Sequence, residues 1–313
     1  MARFQHTKTM RTLSTAPPLL PSAPRHGAAY AYGFVGVLVF SMTLPMSRIA
    51  VSELDPLLVG LGRALIAAVP AALLLWATRS RRPTRAEWSG LALAVLGIVV
   101  GWPLASTIAM RTVPSSHGAI FNGLLPLATA AFAAWRSGER PSLGFWACAL
   151  IGAALVVGFA LRAGHGTLQP GDAWLLLAVV FGGMGYAEGA RVARTLGGWR
   201  TICWALAASA PLLLVPVGAL LMQVDALPST PVILAVAYLS FGSMFLGFFA
   251  WYHGLALGGI ARVGQVQLLQ PFLTVVIAAL LIDEAVDAAT YGFALAVILV
   301  IALGRRCAIG GKR

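Results

Sequence analysis

Asn122–Glu139, NGLLPLATAAFAAWRSGE, and Gln267–Glu284, QLLQPFLTVVIAALLIDE, are one apolar segment written twice, 145 residues apart. At that spacing Leu124 falls on Leu269, Pro126 on Pro271, Thr129 on Thr274, Ala133-Ala134 on Ala278-Ala279 and Glu139 on Glu284. Alanine and leucine coincide easily in apolar sequence, whereas the proline and the glutamate do not. A spacing of 143 residues also brings Ser47-Arg48-Ile49-Ala50 onto Ala190-Arg191-Val192-Ala193. The chain therefore reads as two related units.

Working outward, both copies belong to a series of apolar blocks separated by short polar breaks. Charged residues make up 10% of the 313 residues and mean hydropathy is +0.86, against roughly a quarter charged in a soluble domain. A membrane-spanning helix needs about 20 apolar residues. Ten segments fit: Ala29–Ala50, Pro56–Ala77, Trp88–Ala109, Ser116–Trp135, Leu143–Leu161, Asp172–Gly189, Thr201–Met222, Pro231–Leu255, Val263–Ile282 and Thr290–Leu303. They are continuously apolar rather than alternating, which argues against a β-barrel. The expected fold is an all-α integral membrane protein of ten transmembrane helices.

The net charge of +12 is not one nucleic-acid-binding patch, because the basic residues are distributed by loop. With the N-terminus in the cytoplasm, the inner loops and tails hold eighteen of the 22, including Arg79, Arg81, Arg82 and Arg85, then Arg136 and Arg140, then Arg191, Arg194 and Arg200. The outer side keeps Arg48, Arg111 and Arg162 beside seven acids: Glu53, Asp55, Asp172, Asp225, Asp283, Glu284 and Asp287. This is the positive-inside asymmetry, and it places both termini in the cytoplasm. Residues 1–28 are basic and carry Pro17, Pro18, Pro21 and Pro24 without a long apolar core, so they read as a disordered tail rather than a cleaved signal. The expected organisation is that tail, a repeat over 29–161, a second over 172–304 and a basic tail over 305–313.

Five spans per unit is odd, so the second unit enters the membrane upside down relative to the first. Inverted repeats build one site with two alternative exits, an arrangement common among transporters. The patterns from Leu124-Leu-Pro126 to Glu139-Arg-Pro141 and from Gln270-Pro271 to Glu284, with Asp55-Pro56 leading to Arg63, resemble the EamA-type members of the drug/metabolite transporter superfamily. The resemblance implies a ten-helix exporter of small metabolites, often amino acids or related compounds, in a bacterial-type inner membrane. One departure is visible: Ala208 stands where Arg63 would repeat, so the two halves are not chemically equivalent.

Proline removes the hydrogen bond to the carbonyl four residues earlier. For Pro126 and Pro271 those carbonyls belong to Asn122 and Gln267, so each unit places a freed backbone acceptor and an amide side chain at one kink. Gln270 extends the stripe one turn on. Either these groups line a pathway, or they tie helices together. Arg63 is the one basic residue well inside a span; its planar fork suits a substrate carboxylate, or its long stem snorkels to the surface. Glu188, within Gly182–Gly189, is the acid nearest a span interior. A carboxylate there costs roughly 2.5–3.5 kcal/mol on insertion scales, so it reads either as a proton-coupling site or as an interfacial ion pair with Arg191.

Trp251, Tyr252 and His253 are expected to form an aromatic belt at the inner interface. Cys148, Cys203 and Cys307 show no disulfide or metal-ligand spacing. His6, His26, His117, His165 and His253 lie at tails or span edges, which disfavours an embedded enzyme, and no P-loop for an ATPase is present. No cofactor is implied. The expected partners are a small-molecule substrate, the lipid bilayer and, admissibly, a second copy of the chain. The rival readings are a non-transporting membrane partner of another protein and, less favoured, a membrane enzyme.

Overall fold

The computed structural model describes residues 26–137, 142–163, 165–258 and 263–306. The tail over 1–25, Glu139, Arg140 and the basic end over 307–313 lie outside the described residues. Everything regular within them is helical. Eight helices are long and apolar enough to cross a membrane: α1 (Gly27–Ala50), α2 (Pro56–Ala77), α3 (Arg85–Ala109), α4 (Ser115–Arg136), a fifth containing Trp146–Ala163, α6 (Pro170–Leu196), α7 (Gly198–Leu221) and α8 (Thr230–Gly258). The whole of that fifth helix, α5, runs over Leu143–Ala163. The expected ninth and tenth spans are shorter apolar helices, α9 (Val266–Leu281) and α10, which begins at Ala288 and ends at Arg306.

Helix starts follow local chemistry. Asp55 caps α2 by accepting from the Leu57 N–H at 2.8 Å, with Pro56 in the first turn, where proline loses no hydrogen bond. Thr84 and Glu87 form a capping box at the head of α3, each satisfying a backbone N–H that the helix leaves free. Gly197, at φ +94, makes the turn between α6 and α7. α6 outruns its expected end, Gly189, by two turns, carrying Glu188 and Arg191 on one continuous helix.

Five helices are irregular among the described residues, and α1 is interrupted at Met42, between its stretches His26–Ser41 and Thr43–Ala50. α4 breaks between Asn122 and Leu125, and α9 starts with a 3₁₀ turn over Gly264–Leu269 before Gln270-Pro271, which is where the prolines were expected to break them. The other two irregularities had no sequence signal. α3 is π-helical over Val95–Gly101, and α8 over Tyr238–Gly247. Such segments are rare and concentrate at functional sites.

The helices pair as α1 with α8, α3 with α6, α2 with α7, α4 with both α6 and α9, α9 with α1, and α5 with α10. Exchanging the first five helices for the last five leaves these pairs unchanged, as it does α2 with α3 and α7 with α8, whereas α6 also packs on α7 with no comparable contact between α1 and α2. Glycine permits a close crossing of α3 and α6: a Cβ built on Gly97 would lie 2.6 Å from Gly185 Cα. No larger residue fits there without moving the backbones apart.

Candidate functional site

The irregular parts of α3, α8 and α9 converge on an enclosed cavity at the centre of the bundle. Its wall consists of Phe40 and Thr43 of α1, Arg63 of α2, Ile98 and Trp102 of α3, Tyr186 of α6, Ser243, Met244 and Phe248 of α8, and Gln270 of α9. Among the described residues that wall holds one cation and no acid. The free space left for water is ≈ 20 Å³, room for about one water molecule. The cavity is contracted, too small for anything larger than a water molecule.

Arg63 dominates the cavity. It is 0% exposed, and none of its three guanidinium nitrogens has a hydrogen-bond partner. Its Cζ lies 5.4 Å from the centre of the Trp102 ring, within reach of a cation–π contact. That contact leaves every N–H unspent. A buried, unpaired charge is among the costliest features a fold can hold.

Two amides share the deficit, since Gln270 Oε1 and Gln267 Nε2 are buried without partners, as are the indole nitrogens of Trp102 and Trp251. Thr43 and Ser243 join α1 to α8 across the cavity wall through their hydroxyls, at 2.9 Å. Phe40, Tyr186, Phe248 and Trp251 pack as one aromatic cluster with ring centres 4.8–6.3 Å apart. The cavity wall thus carries both polar groups, Arg63 and Gln270 among them, and aromatic rings.

The structure brings Arg63 and Gln270 of the sequence candidates to this wall. Asn122, Pro126, Gln267 and Pro271 are buried at the two helix breaks. These breaks adjoin: a Cβ on Gly123 would lie 3.5 Å from Pro271 Cγ. Glu188 is elsewhere. It is 2% exposed; its Oε1 accepts from Arg136 Nε at 2.5 Å and its Oε2 from Arg191 Nε and Nη2 at 3.0 and 2.7 Å. The ion pair with Arg191 weighed from sequence is present, joined by a second arginine from the end of α4.

One expectation is corrected. Trp251 and Tyr252 are not an interfacial belt: α1, α6 and α7 cover that part of α8, leaving both residues buried, and the Tyr252 hydroxyl donates to the Gly185 carbonyl at 3.2 Å. Trp102 lines the cavity. His117, at the edge of α4 as expected, is nevertheless buried, with Nε2 2.6 Å from Asp172 Oδ1 and its ring against Phe121 and Phe159.

The end of the bundle carrying Glu53 and Asp55 is closed by short-range polar ties. Glu284 accepts from the backbone N–H groups of Ser115 and Ser116 at the head of α4 at 2.8 and 2.9 Å. Arg48 donates to the Val113 carbonyl at 3.2 Å and to that of Met110. Glu53 accepts from the hydroxyl and N–H of Ser229, and these hold its carboxyl below the usual range. Asp287 is likewise held below the usual range, by Arg162 first and by Thr290. At the opposite end Arg81 clasps Glu87, whose carboxylate raises the guanidinium pKa, and reaches the Thr195 carbonyl on α6.

A bundle of apolar helices with broken segments around one buried polar cavity defines a membrane transporter. The chain belongs to the EamA-like transporter family, whose pattern it matches twice, over residues 27–161 and 169–304. It is 45% identical over 276 residues to the "Uncharacterized transporter YdeK" of Bacillus subtilis (strain 168), covering 88% of this chain and 96% of that one. A solved crystal structure 22% identical superposes with a TM-score of 0.62 over 90% of this chain and 98% of its own, which bears on the fold alone.

Proposed function

We propose that the protein is a secondary transporter of small carboxylate-bearing metabolites, amino acids or their relatives, which it exports across the inner membrane by alternating access. The observation that carries the reading is Arg63. Evolution keeps a costly buried charge without a partner where the partner comes and goes, and a planar guanidinium matches a carboxylate. Gln270 then orients the polar end of the substrate while the aromatic cluster accepts its apolar body.

The nearly exchange-invariant helix pairing, the twin breaks in α4 and α9 and the twin π segments in α3 and α8 support two inverted five-helix repeats, crossing ten times with both termini cytoplasmic. In that arrangement the polar ties at each end act as alternating gates. Glu188 belongs to the cytoplasmic gate; a proton-coupling role for it requires the two-arginine clamp to release in the state open to that side. The test is counterflow into proteoliposomes with labelled amino acids and small carboxylates. The wild-type protein exchanges at least one of them and Arg63→Ala does not; equal flux through both sinks the assignment.

A further inference from the structure

The segment after α2 holds an unusual backbone. Arg79 N–H donates to the Trp76 carbonyl and Ser80 N–H to the Leu75 carbonyl, both at 3.0 Å, which closes α2 in a Schellman turn. The residue at the left-handed position of that turn is Arg79, at φ 44. Glycine is the usual occupant, because a Cβ there costs about 1 kcal/mol or more. A strained arginine at a site suited to glycine points to a use for its side chain.

That side chain borders a groove of ≈ 670 Å³ between the end of α2 and α7. The walls are Ala72, Leu75, Trp76, Ala77, Trp204 and Ala207, and the rim is Arg79, Ser80 and Arg82. Neither Arg79 nor Arg82 is paired with a described carboxylate, since Arg81 alone of this cluster is turned to Glu87. The buried Trp204 indole N–H also lacks a partner. Trp76, 80% exposed, flanks the groove on the outer surface of the bundle.

We infer that this groove is a binding site for an anionic phospholipid, with the headgroup phosphate between Arg79 and Arg82 and an acyl chain along the alanine-lined wall toward Trp204. Charge decides the occupant. At the other end of the same helix pair a groove of ≈ 520 Å³ is rimmed by Glu53, Asp55 and Asp225, which repel an anionic headgroup. The basic groove lies at the end that the positive-inside rule assigns to the cytoplasm, whose leaflet carries the anionic lipids.

Native mass spectrometry of the purified full-length protein, titrated with dioleoylphosphatidylglycerol and separately with dioleoylphosphatidylcholine, tests the site. Wild-type protein retains the phosphatidylglycerol preferentially. Arg79→Gly with Arg82→Gln weakens that retention by about 30-fold, at roughly 1 kcal/mol per arginine, and leaves phosphatidylcholine unaffected. Glycine suits the turn, so lipid-free thermal stability of Arg79→Gly is equal to or above wild type, which separates lost binding from lost folding. The inference is overturned if the double variant keeps its phosphatidylglycerol affinity, or if wild-type protein holds the two lipids equally.

Discussion

Arg63 and Glu188 are both buried charges inside an apolar bundle, and they are treated in opposite ways. Glu188 receives three N–H donors from two arginines, while Arg63 has five N–H groups to give and no described acceptor. A saturated charge costs its desolvation and gives back a fixed contact between α4 and α6. An unsaturated one is maintained at a loss in the empty protein. The first is how a fold holds helix ends together, and the second, on the function we propose, is how it waits for a ligand.

The largest expected effect comes from removing the unsaturated charge. Arg63→Met keeps an unbranched apolar stem and deletes the cation. Substrate binding falls by at least about 100-fold, in line with truncating one partner of a buried charge pair. Thermal stability of the empty protein rises by roughly 2–4 °C or more, because apolar atoms replace an unpaired charge. Parallel melting curves and ligand titrations read both numbers, and a loss of stability with binding intact breaks the comparison.

Glu188→Gln acts on the saturated member and reverses the pattern. Stability falls by about 1–2 kcal/mol, a figure discounted because both arginines are close to half exposed and regain water. Binding at the cavity is retained. If the clamp is also the coupling site, the pH dependence of transport flattens, which flux measured from pH 5 to pH 8 reads directly. Loss of binding with unchanged stability contradicts the assignment of the two charges.

Gln270→Leu probes the polar part of the cavity wall. It removes one neutral hydrogen-bonding group, so affinity drops about 3- to 10-fold, with selectivity among substrates of equal charge altered more than maximal flux. The smallest effect belongs to Glu53. Its depressed carboxyl stabilises the fold above its unfolded-state pKa, and that contribution fades as pH falls through the lower folded value. Acidification from pH 6 to pH 3 therefore narrows the melting-temperature gap between wild type and Glu53→Gln, whereas a constant gap means that the Ser229 contact contributes nothing.

Much of this architecture is legible in the residues because the bilayer permits few solutions. Hydropathy marks the apolar helices, and Pro126 and Pro271 mark the breaks, since proline cannot donate to the helix ladder. Arg63 stands out by depth alone. What the residues hide is lateral: no local pattern tells that Trp102 and Tyr186 face the cavity, or that Trp251 and Tyr252 are covered by neighbouring helices rather than set in an interface. The π segment of α3 packs on α6 where Gly97 meets Gly185, and that of α8 packs on α1 and α2, contacts that no local pattern announces. Glu188 was legible as buried, but its second arginine comes from 52 residues away and has no signature in sequence.

The central claim is that the cavity waits for a negative charge. Its most direct measurement is the thermal shift of purified protein with matched ligands on one carbon skeleton: the amino acid, its carboxamide and its decarboxylated amine. The expected result is stabilisation by a carboxylate-bearing member alone, abolished in Arg63→Met; equal stabilisation by the carboxamide or the amine, or a carboxylate effect that survives in Arg63→Met, contradicts it.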